Sequence, residues 1–218
     1  MRLARQIVLE ALKGKGLGRT LMNETLSEFE LSGDILDLGA GSDSASYNRF
    51  LKFKRPFRVT YSDYYKTGPN LVRIDLEQPF GVASGAYDFV LCFNVLEHVY
   101  DFRNLIGESY RVLRPGGVFI GCTPFMQRFH PDPNDYFRYT HEALCRMFAE
   151  AGYECDTMLS LGFGPFSAAV SQWASLVPRV LRPGLFLGHI VLDMMVSRLS
   201  PHWRMKHPLG YVYTFRKQ

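Results

Sequence analysis

Residues 34–41 read DILDLGAG, a short apolar run that ends in two glycines separated by one alanine. An apolar run of this length that is bounded by glycine is typical of a buried β-strand. Gly39 and Gly41 let the backbone approach a ligand closely, and we expect the helix that follows to present free N–H groups to it. The stretch therefore predicts a strand that leads into a ligand-binding turn.

Strands and helices alternate outward from this stretch. Further strands are predicted at 58–62, 71–74, 87–93, 117–123, after 153 and at 211–215. Helical spacing predicts a helix from Phe102 to Leu113, and Thr140 is the predicted N-cap of a helix that runs through Ala151. This alternation predicts an α/β fold with a doubly wound, mostly parallel sheet, which binds ligands beyond the carboxyl ends of its strands.

Two of the predicted strands end in an acidic residue. Asp63 lies 22 residues after Gly41, where a carboxylate can accept both hydroxyls of a ribose. Asp75 and Leu76 follow the next strand, and they offer a carboxylate for an exocyclic amine and an apolar surface for a ring. One acid at a strand end is ordinarily a turn residue. These two strand ends and the glycine turn after the first strand come in order along one sheet edge, and together they predict a nucleoside site.

The chain resembles the class I S-adenosylmethionine-dependent methyltransferases, and within them a small-molecule branch with quinone-type and glycan-pathway members. The resemblance is carried by 35–41 (ILDLGAG), Asp63, Asp75-Leu76, 87–99 (YDFVLCFNVLEHV) and 111–117 (RVLRPGG). It covers about residues 34–153 and the final strand, 210–217. The resemblance implies a Rossmann-like sheet of seven strands whose last strand is antiparallel, and it implies S-adenosyl-L-methionine as the cofactor.

The resemblance also implies where the cofactor binds. The candidate cofactor-binding residues are Asp37, Gly39, Ala40, Gly41, Asp63, Tyr64, Asp75, Leu76, Asn94, Val95 and His98. The family often has a third glycine two positions after Gly41, and here that position is Asp43, so we expect the loop to differ in its fine geometry. A nicotinamide-binding alternative requires a glycine at position 44, where the chain has Ser44.

The loop after the fifth strand, which ends in the sequence HPDPNDYFRYT, is the predicted position of the methyl acceptor. His130 is the candidate general base because imidazole titrates in the useful pH range. Asp135, Tyr136 and Arg138 are the other candidate catalytic residues. Alternatively, His130 and Arg138 only fix the loop through hydrogen bonds to Asp132 or Asp135. We predict no metal, because carboxylate–histidine clusters in proline-rich loops are usually solvated.

Composition and charge indicate a single globular domain. Hydrophobic residues make up 47% and charged residues 21% of the 218 residues. We divide the chain into an N-terminal helical cap (1–30), a cofactor-binding core (31–161), an apolar helical insertion or lid (162–205) and the last strand (206–218). Basic residues concentrate at both ends, so the ends are expected either to meet something anionic or simply to be solvated.

The insertion before the last strand is the part of the chain that least resembles the family. It contains two apolar helical candidates, Phe166–Val177 and Leu185–Leu199, joined by a segment with two arginines. A lid or a homodimer face would bury them against protein, whereas interfacial membrane docking would place the arginines at lipid headgroups. Any membrane contact through 165–199 would be peripheral, because glycines and a proline interrupt the long uncharged run 157–178.

These features predict transfer of a methyl group to a small-molecule or lipid-linked acceptor, with oxygen as the acceptor atom, by in-line displacement at the sulfonium carbon. The alternative is a non-catalytic S-adenosylmethionine-binding or scaffold protein. No nucleic acid is expected as a partner, because no Asn/Asp-Pro-Pro-aromatic motif follows the fourth strand. The four cysteines are expected to be buried thiols and the start does not read as a secretory signal, so the protein is predicted to be cytoplasmic, with peripheral membrane contact left open.

Overall fold

The computed structural model describes residues 1–199 and 202–218. Within these ranges the strands are β1 (Glu30–Leu38), β2 (Lys52–Asp63), β3 (Leu71–Arg73), β4 (Tyr87–Phe93), β5 (Leu113–Pro124), β6 (Tyr153–Leu161) and β7 (Gly210–Lys217). The helices are α1 (Arg2–Leu12), α2 (Leu17–Leu26), α3 (Phe102–Val112), α4 (His141–Glu150), α5 (Pro165–Trp173), α6 (Arg182–Leu199) and α7 (His202–Lys206). Short 3₁₀ turns follow β4 (Leu96–His98) and α5 (Ala174–Leu176).

The described strands form one sheet in the order β3-β2-β1-β4-β5-β7-β6. β7 runs antiparallel to both of its neighbours, and the other pairs are parallel. The chain passes from β3 at one edge back to β4 beside β1, so the direction of winding reverses between β1 and β4. Open α/β sheets bind ligands at such a reversal, outside the carboxyl ends of the strands. The predicted fold, including its antiparallel last strand, is confirmed.

Helices cover both faces of the sheet. Ile35 of β1 belongs to an apolar cluster with residues of α1, α2, α5 and α6, whereas its neighbour Leu36 belongs to a second cluster with residues of α3 and α4. Successive residues of a strand point to opposite faces, so a strand that is covered on both faces needs a continuous apolar run. β4 has such a run from Phe89 to Phe93, and its predicted bounds, 87–93, coincide with the observed ones.

Capping side chains set where two helices begin. Thr140 Oγ1 accepts a hydrogen bond from the backbone N–H of Ala143 at 3.2 Å, which confirms Thr140 as the N-cap of α4. Asp101 caps α3 in the same way through the N–H of Asn104 at 3.1 Å. These contacts satisfy N–H groups that have no partner within the helix.

The helix expected directly after Gly41 does not form. Residues 40–51 form turns between β1 and β2 instead. Ser42 Oγ accepts from the backbone N–H of Ser44 at 3.2 Å, and Asn48 Nδ2 donates to the carbonyl of Asp43 at 3.0 Å. Side chains that bond to nearby backbone compete with helical hydrogen bonds, which explains why this expectation is wrong.

The cysteines are free thiols, but they are not all buried. Cys92 and Cys122 lie in the core as expected, on β4 and β5. Cys155 is exposed because β6 is an edge strand of the sheet, and Cys145 is half-buried. The expectation that every cysteine is a buried thiol is therefore wrong for these two.

The two helical candidates of the insertion before β7 correspond to α5 and α6, which pack against each other. α5 ends earlier than predicted, at Trp173, and α6 begins earlier than predicted, at Arg182. α6 packs against α1 as well as α5. Across residues 1–199 and 202–218, no helix has both the length and the apolar character that crossing a membrane requires.

Candidate active site

A cavity of about 530 Å³ lies at the carboxyl ends of β1, β2, β3 and β4. Its lining includes eight of the eleven candidate cofactor-binding residues: Gly39, Asp63, Tyr64, Asp75, Leu76, Asn94, Val95 and His98. The structure thus brings together side chains that lie up to 59 positions apart in the sequence. We call this cavity the cofactor cavity.

The glycine turn after β1 forms one wall of the cofactor cavity. Gly39 has a φ of +71°, and its N–H donates to Ser62 Oγ at 3.0 Å. A Cβ at this position would lie 2.8 Å from Cγ2 of Val95, a contact too close for a side chain. Gly41 has a φ of +66°, and a Cβ there would lie 3.0 Å from Asp63 Oδ2. The turn therefore requires glycine both for its backbone conformation and for space.

The two acids at the strand ends each keep one oxygen for a ligand. Asp63 Oδ1 accepts from the backbone N–H groups of Tyr65 at 2.8 Å and Lys66 at 2.9 Å, which orders the loop after β2. Asp75 Oδ1 accepts from the N–H of Glu77 at 3.0 Å. Among the described residues neither Oδ2 atom has a hydrogen-bond donor, so both are available to hydroxyl or amino groups in the cavity.

Asp37, Ala40 and Gly41 do not line the cofactor cavity. Asp37 is completely buried on β1, and both of its carboxylate oxygens lie within 3.0 Å of the Tyr47 hydroxyl, which donates to them. Burial raises the pKa of Asp37 to about 8, and the hydrogen bond from Tyr47 opposes this shift. The Asp37 carboxylate is therefore directed to Tyr47 and not to the cavity, and no pattern in the sequence indicated Tyr47 as its partner.

A second cavity, of about 260 Å³, adjoins the first and is called the acceptor cavity below. Asn94, His98 and Asp132 line both cavities. Asn94 has a φ of +54°, which is uncommon for a residue other than glycine, and its side-chain amide donates to Met22 Sδ at 3.6 Å. The strained backbone of Asn94 thus lies where the two cavities meet.

The loop after β5 brings His130 to the acceptor cavity and uses Asp135 and Arg138 to hold it there. Arg138 donates to both carboxylate oxygens of Asp135, at 2.5 and 2.7 Å, and the backbone N–H of His130 donates to Asp135 Oδ2 at 2.9 Å. The guanidinium keeps the pKa of Asp135 far below its usual range. Tyr136 lies apart from these residues and lines the cofactor cavity.

Glu97 is the residue of this site that sequence reasoning missed. Its side chain is 0% exposed, and within the described chain neither carboxylate oxygen has a hydrogen-bond donor. Oε1 lies 3.7 Å from His98 Nε2 and 3.8 Å from His130 Nε2. Interaction with Glu97 is the largest cause that raises the pKa of His130 above its ordinary value, against a smaller opposing effect of burial. The sequence offered one signal for Glu97, since it is an acidic residue in the mostly apolar stretch that follows β4.

The tautomers of the two histidines follow from their neighbours. His98 Nδ1 lies 2.5 Å from the carbonyl oxygen of Asn134, and His130 Nδ1 lies 3.0 Å from that of Arg128. A carbonyl oxygen only accepts, so we assign the hydrogen of each neutral ring to Nδ1, which leaves each Nε2 facing Glu97. One ligand atom from each of these three residues lies within 4.8 Å of the others, a donor set that could also hold a divalent cation.

The chain is similar to known methyltransferases in sequence and in fold. A family model described as a methyltransferase domain matches residues 15–158, about two thirds of the chain. A relative from Mycolicibacterium smegmatis (strain ATCC 700084 / mc(2)155), described as a probable S-adenosylmethionine-dependent methyltransferase, is 34% identical over 83 residues, which are 35% of this chain and 32% of the relative. A ubiquinone biosynthesis O-methyltransferase from Thiobacillus denitrificans (strain ATCC 25259 / T1) is 25% identical over 178 residues, 74% of this chain and 66% of that protein.

The fold is also that of a solved S-adenosylmethionine-dependent methyltransferase from Mesorhizobium loti. The TM-score is 0.56 at 15% identity, and the match covers 94% of this chain and 100% of the other. In the two sequence matches the chain spans 32% and 66% of the relatives' lengths. With the domain model, the sheet order and the glycine turn in agreement, the chain belongs to the class I S-adenosylmethionine-dependent methyltransferases, whose cofactor is S-adenosylmethionine.

Proposed function

We propose that the protein transfers a methyl group from S-adenosylmethionine to an oxygen atom of a small or lipid-linked acceptor. The observation that carries the proposal is the meeting of the two cavities at Asn94, His98 and Asp132, with the imidazole of His130 on the acceptor side. Displacement in line needs the acceptor oxygen, the methyl carbon and the sulfur in one row. Two adjoining cavities that share one set of residues suit that requirement.

The cofactor cavity fits an adenosyl group by its shape and by its hydrogen-bond acceptors. Asp63 Oδ2 would accept from the ribose hydroxyls and Asp75 Oδ2 from the adenine amine, while Leu76 and Val95 offer apolar contact to the ring. The absence of a side chain at Gly39 leaves the space that the backbone needs to contact the ligand. When bound, the cofactor supplies an electrophilic methyl group and a good leaving group.

His130 would accept the proton of the acceptor hydroxyl at Nε2. Its Nδ1–H is held by the Arg128 carbonyl, so Nε2 keeps the lone pair in the neutral ring. Glu97 acts through His130 as a positioning residue, because its buried carboxylate stabilises the imidazolium that forms. The ion pair between Asp135 and Arg138 fixes the loop. This is the role that the alternative in the sequence analysis gave to Arg138.

The lining of the acceptor cavity supports an amphipathic acceptor. Met22, Met126, Leu161 and Leu209 supply apolar surface, and Arg19 is among the polar residues that also line it. Such a mixture suits a molecule with an apolar part and a hydroxyl group near an anionic or polar substituent. The similarity to a ubiquinone biosynthesis O-methyltransferase favours oxygen as the atom that is methylated.

The test is transfer of labelled methyl from S-adenosylmethionine into an extract that is then separated into lipid, sugar, protein and nucleic-acid fractions. We expect label in the lipid or sugar fraction with the natural chain, and a loss of at least about 100-fold with His130→Ala. His141→Ala is the matched control, because His141 is half-exposed and lines neither cavity.

Two outcomes would contradict the proposal. Label in the protein or nucleic-acid fraction would refute the acceptor class. Label in no fraction, from a chain that still binds S-adenosylhomocysteine in calorimetry, would favour the non-catalytic alternative.

A further inference from the structure

One surface of the molecule combines exposed apolar side chains with basic ones. It is formed by residues 173–181, the outward side of α6 and α7, and we call it the basic apolar surface. Its most exposed apolar side chains, each at least 54% exposed, are Leu176 (81%), Val180 (72%), Leu181 (57%), Val191 (54%), Met194 (54%), Met195 (60%) and Met205 (70%). α7 packs against both α5 and α6, so these side chains belong to neighbouring elements. Contiguous exposed apolar surface generally marks a binding site.

The orientation of α6 is fixed by a buried acid. Asp193 accepts from the backbone N–H groups of Phe166 at 2.9 Å and Ser167 at 2.8 Å, at the start of α5. Phe186 and Ile190 lie on the same side of α6 and are buried with Asp193. The opposite side of the helix is therefore held outward, and its apolar residues cannot turn into the core without breaking these contacts.

The basic apolar surface carries positive charge without exposed acids. From Trp173 to Lys206 the sequence has five basic residues and one acid, the buried Asp193. In the part of the chain that the structure describes, none of the five has a carboxylate within 4.0 Å. The Arg179 side chain lies beside Gly14 at the end of α1, so the basic segment around Lys15 adjoins this surface.

We propose that the basic apolar surface docks onto an anionic lipid bilayer. Bulky apolar side chains that enter the headgroup region, flanked by arginine and lysine at the phosphates, are what an interfacial site requires. A second copy of this chain is a poorer occupant, because it would bring another set of unpaired positive charges to the same contact. The docking is interfacial, in agreement with the absence of a spanning helix among the described residues.

The basic apolar surface adjoins the acceptor cavity through α5. Ser171 lines that cavity, and the neighbouring Gln172 donates its side-chain amide to the carbonyl of Met126, which lines it too. Trp173, the next residue, is partly exposed on the basic apolar surface. If the proposed function holds, docking brings the acceptor cavity close to the bilayer, where a lipid-linked acceptor would be presented.

The test is flotation of the whole protein, without cofactor, on vesicles of phosphatidylcholine alone or with one quarter phosphatidylglycerol. We expect flotation with the anionic vesicles at low salt, and its loss at about 0.5 M salt because screening shortens the electrostatic range. Arg179→Gln should weaken partitioning about fivefold, and Val180→Ser combined with Leu181→Ser should weaken it at least as much. Leu159→Ser, an exposed position on β6, is the matched control.

Docking is refuted if the protein stays at the bottom of the gradient with anionic vesicles at low salt. It is also refuted if sedimentation shows a dimer that Val180→Ser with Leu181→Ser dissociates, since the surface would then bind a second copy. Flotation needs no cofactor and no acceptor, so its failure leaves methyl transfer untouched. Failure of methyl transfer with flotation intact would contradict the proposed function alone.

Discussion

At the scale of single residues, the buried carboxylate of Glu97 decides how basic His130 is. The pKa of His130 is raised chiefly by Glu97, so the ring stays protonated to a higher pH than an ordinary imidazole. A base acts only when neutral, and the rate should therefore rise with pH through this raised pKa. We expect Glu97→Gln to move the rising limb of the rate against pH to lower pH and to reduce the plateau about tenfold or more.

The measurement is the pH profile of kcat for the natural chain and for Glu97→Gln with the same acceptor. Glu142→Gln is the control, because Glu142 is exposed and lies near neither cavity. If the rising limb of the Glu97→Gln profile lies at the same pH as that of the natural chain, Glu97 does not control the pKa of His130. Loss of activity with a chelator, restored by a divalent cation, would instead make Glu97, His98 and His130 metal ligands.

Asp63 offers a second test at this scale. The substitution Asp63→Asn keeps Oδ1, which orders the loop, and replaces the oxygen that is left for a ribose. We expect the affinity for S-adenosylhomocysteine in calorimetry to fall about 10- to 100-fold, the cost of a hydrogen bond to a charged group. Asp43→Asn is the control, because Asp43 is exposed and lines neither cavity. Equal affinities in the two variants would exclude Asp63 from the cofactor site.

At the scale of elements, the pairing of β5 with β7 depends on one missing side chain. Gly121 is directly opposite Tyr213, and a Cβ there would lie 2.2 Å from Cε2 of the ring. We expect Gly121→Ala to lower the free energy of unfolding by about 1–3 kcal/mol through overpacking. Gly107, on the exposed side of α3, has open space around it, so Gly107→Ala should raise that free energy by about 0.5–1 kcal/mol. Urea denaturation of both variants measures the contrast, and a loss of equal size in both would contradict it.

The elements that the sequence predicts well are those that local chemistry decides. β4 is found at its predicted bounds because its apolar run is covered on both faces, and Thr140 begins α4 because its hydroxyl reaches a free N–H. The helix after Gly41 was mispredicted because serine and asparagine side chains bond to their own backbone there. The helix propensity of the residues does not show whether these side-chain hydrogen bonds are more stable than helical backbone hydrogen bonds.

The site residues also divide into those whose positions the sequence predicts and those whose contacts depend on the tertiary fold. The positions of Gly39, Asp63 and Asp75 at strand ends could be read from the sequence because parallel strands end at one sheet edge. The partnership of Glu97 with His130 could not, since it depends on how the loop after β5 folds back over the turn after β4. Asp37 likewise looks like a ligand residue in the sequence, and the sequence does not reveal that its carboxylate is buried against the Tyr47 hydroxyl.

At the scale of the whole molecule, the sheet separates two apolar clusters, and the fully buried Asp37 lies on β1, an interior strand of that sheet. No cationic side chain pairs with it among residues 1–199 and 202–218; its hydrogen bonds come from Tyr47. A buried carboxyl of this kind is a cost to stability only when it is ionised. The stability of the whole fold is thereby linked to the protonation of one residue.

The pKa of Asp37 rises from 3.8 to about 8 on folding, so between these values the folded chain holds a proton that the unfolded chain releases. The contribution of Asp37 to the free energy of unfolding therefore falls as pH rises, by up to about 1.4 kcal/mol per pH unit. Asp37→Asn removes this titration, and the stability of the variant relative to the natural chain should increase steadily from pH 5 to pH 7. Guanidinium denaturation at each pH measures it, with Asp43→Asn as the exposed control; a constant difference between Asp37→Asn and the natural chain would mean that Asp37 is ionised in the folded protein.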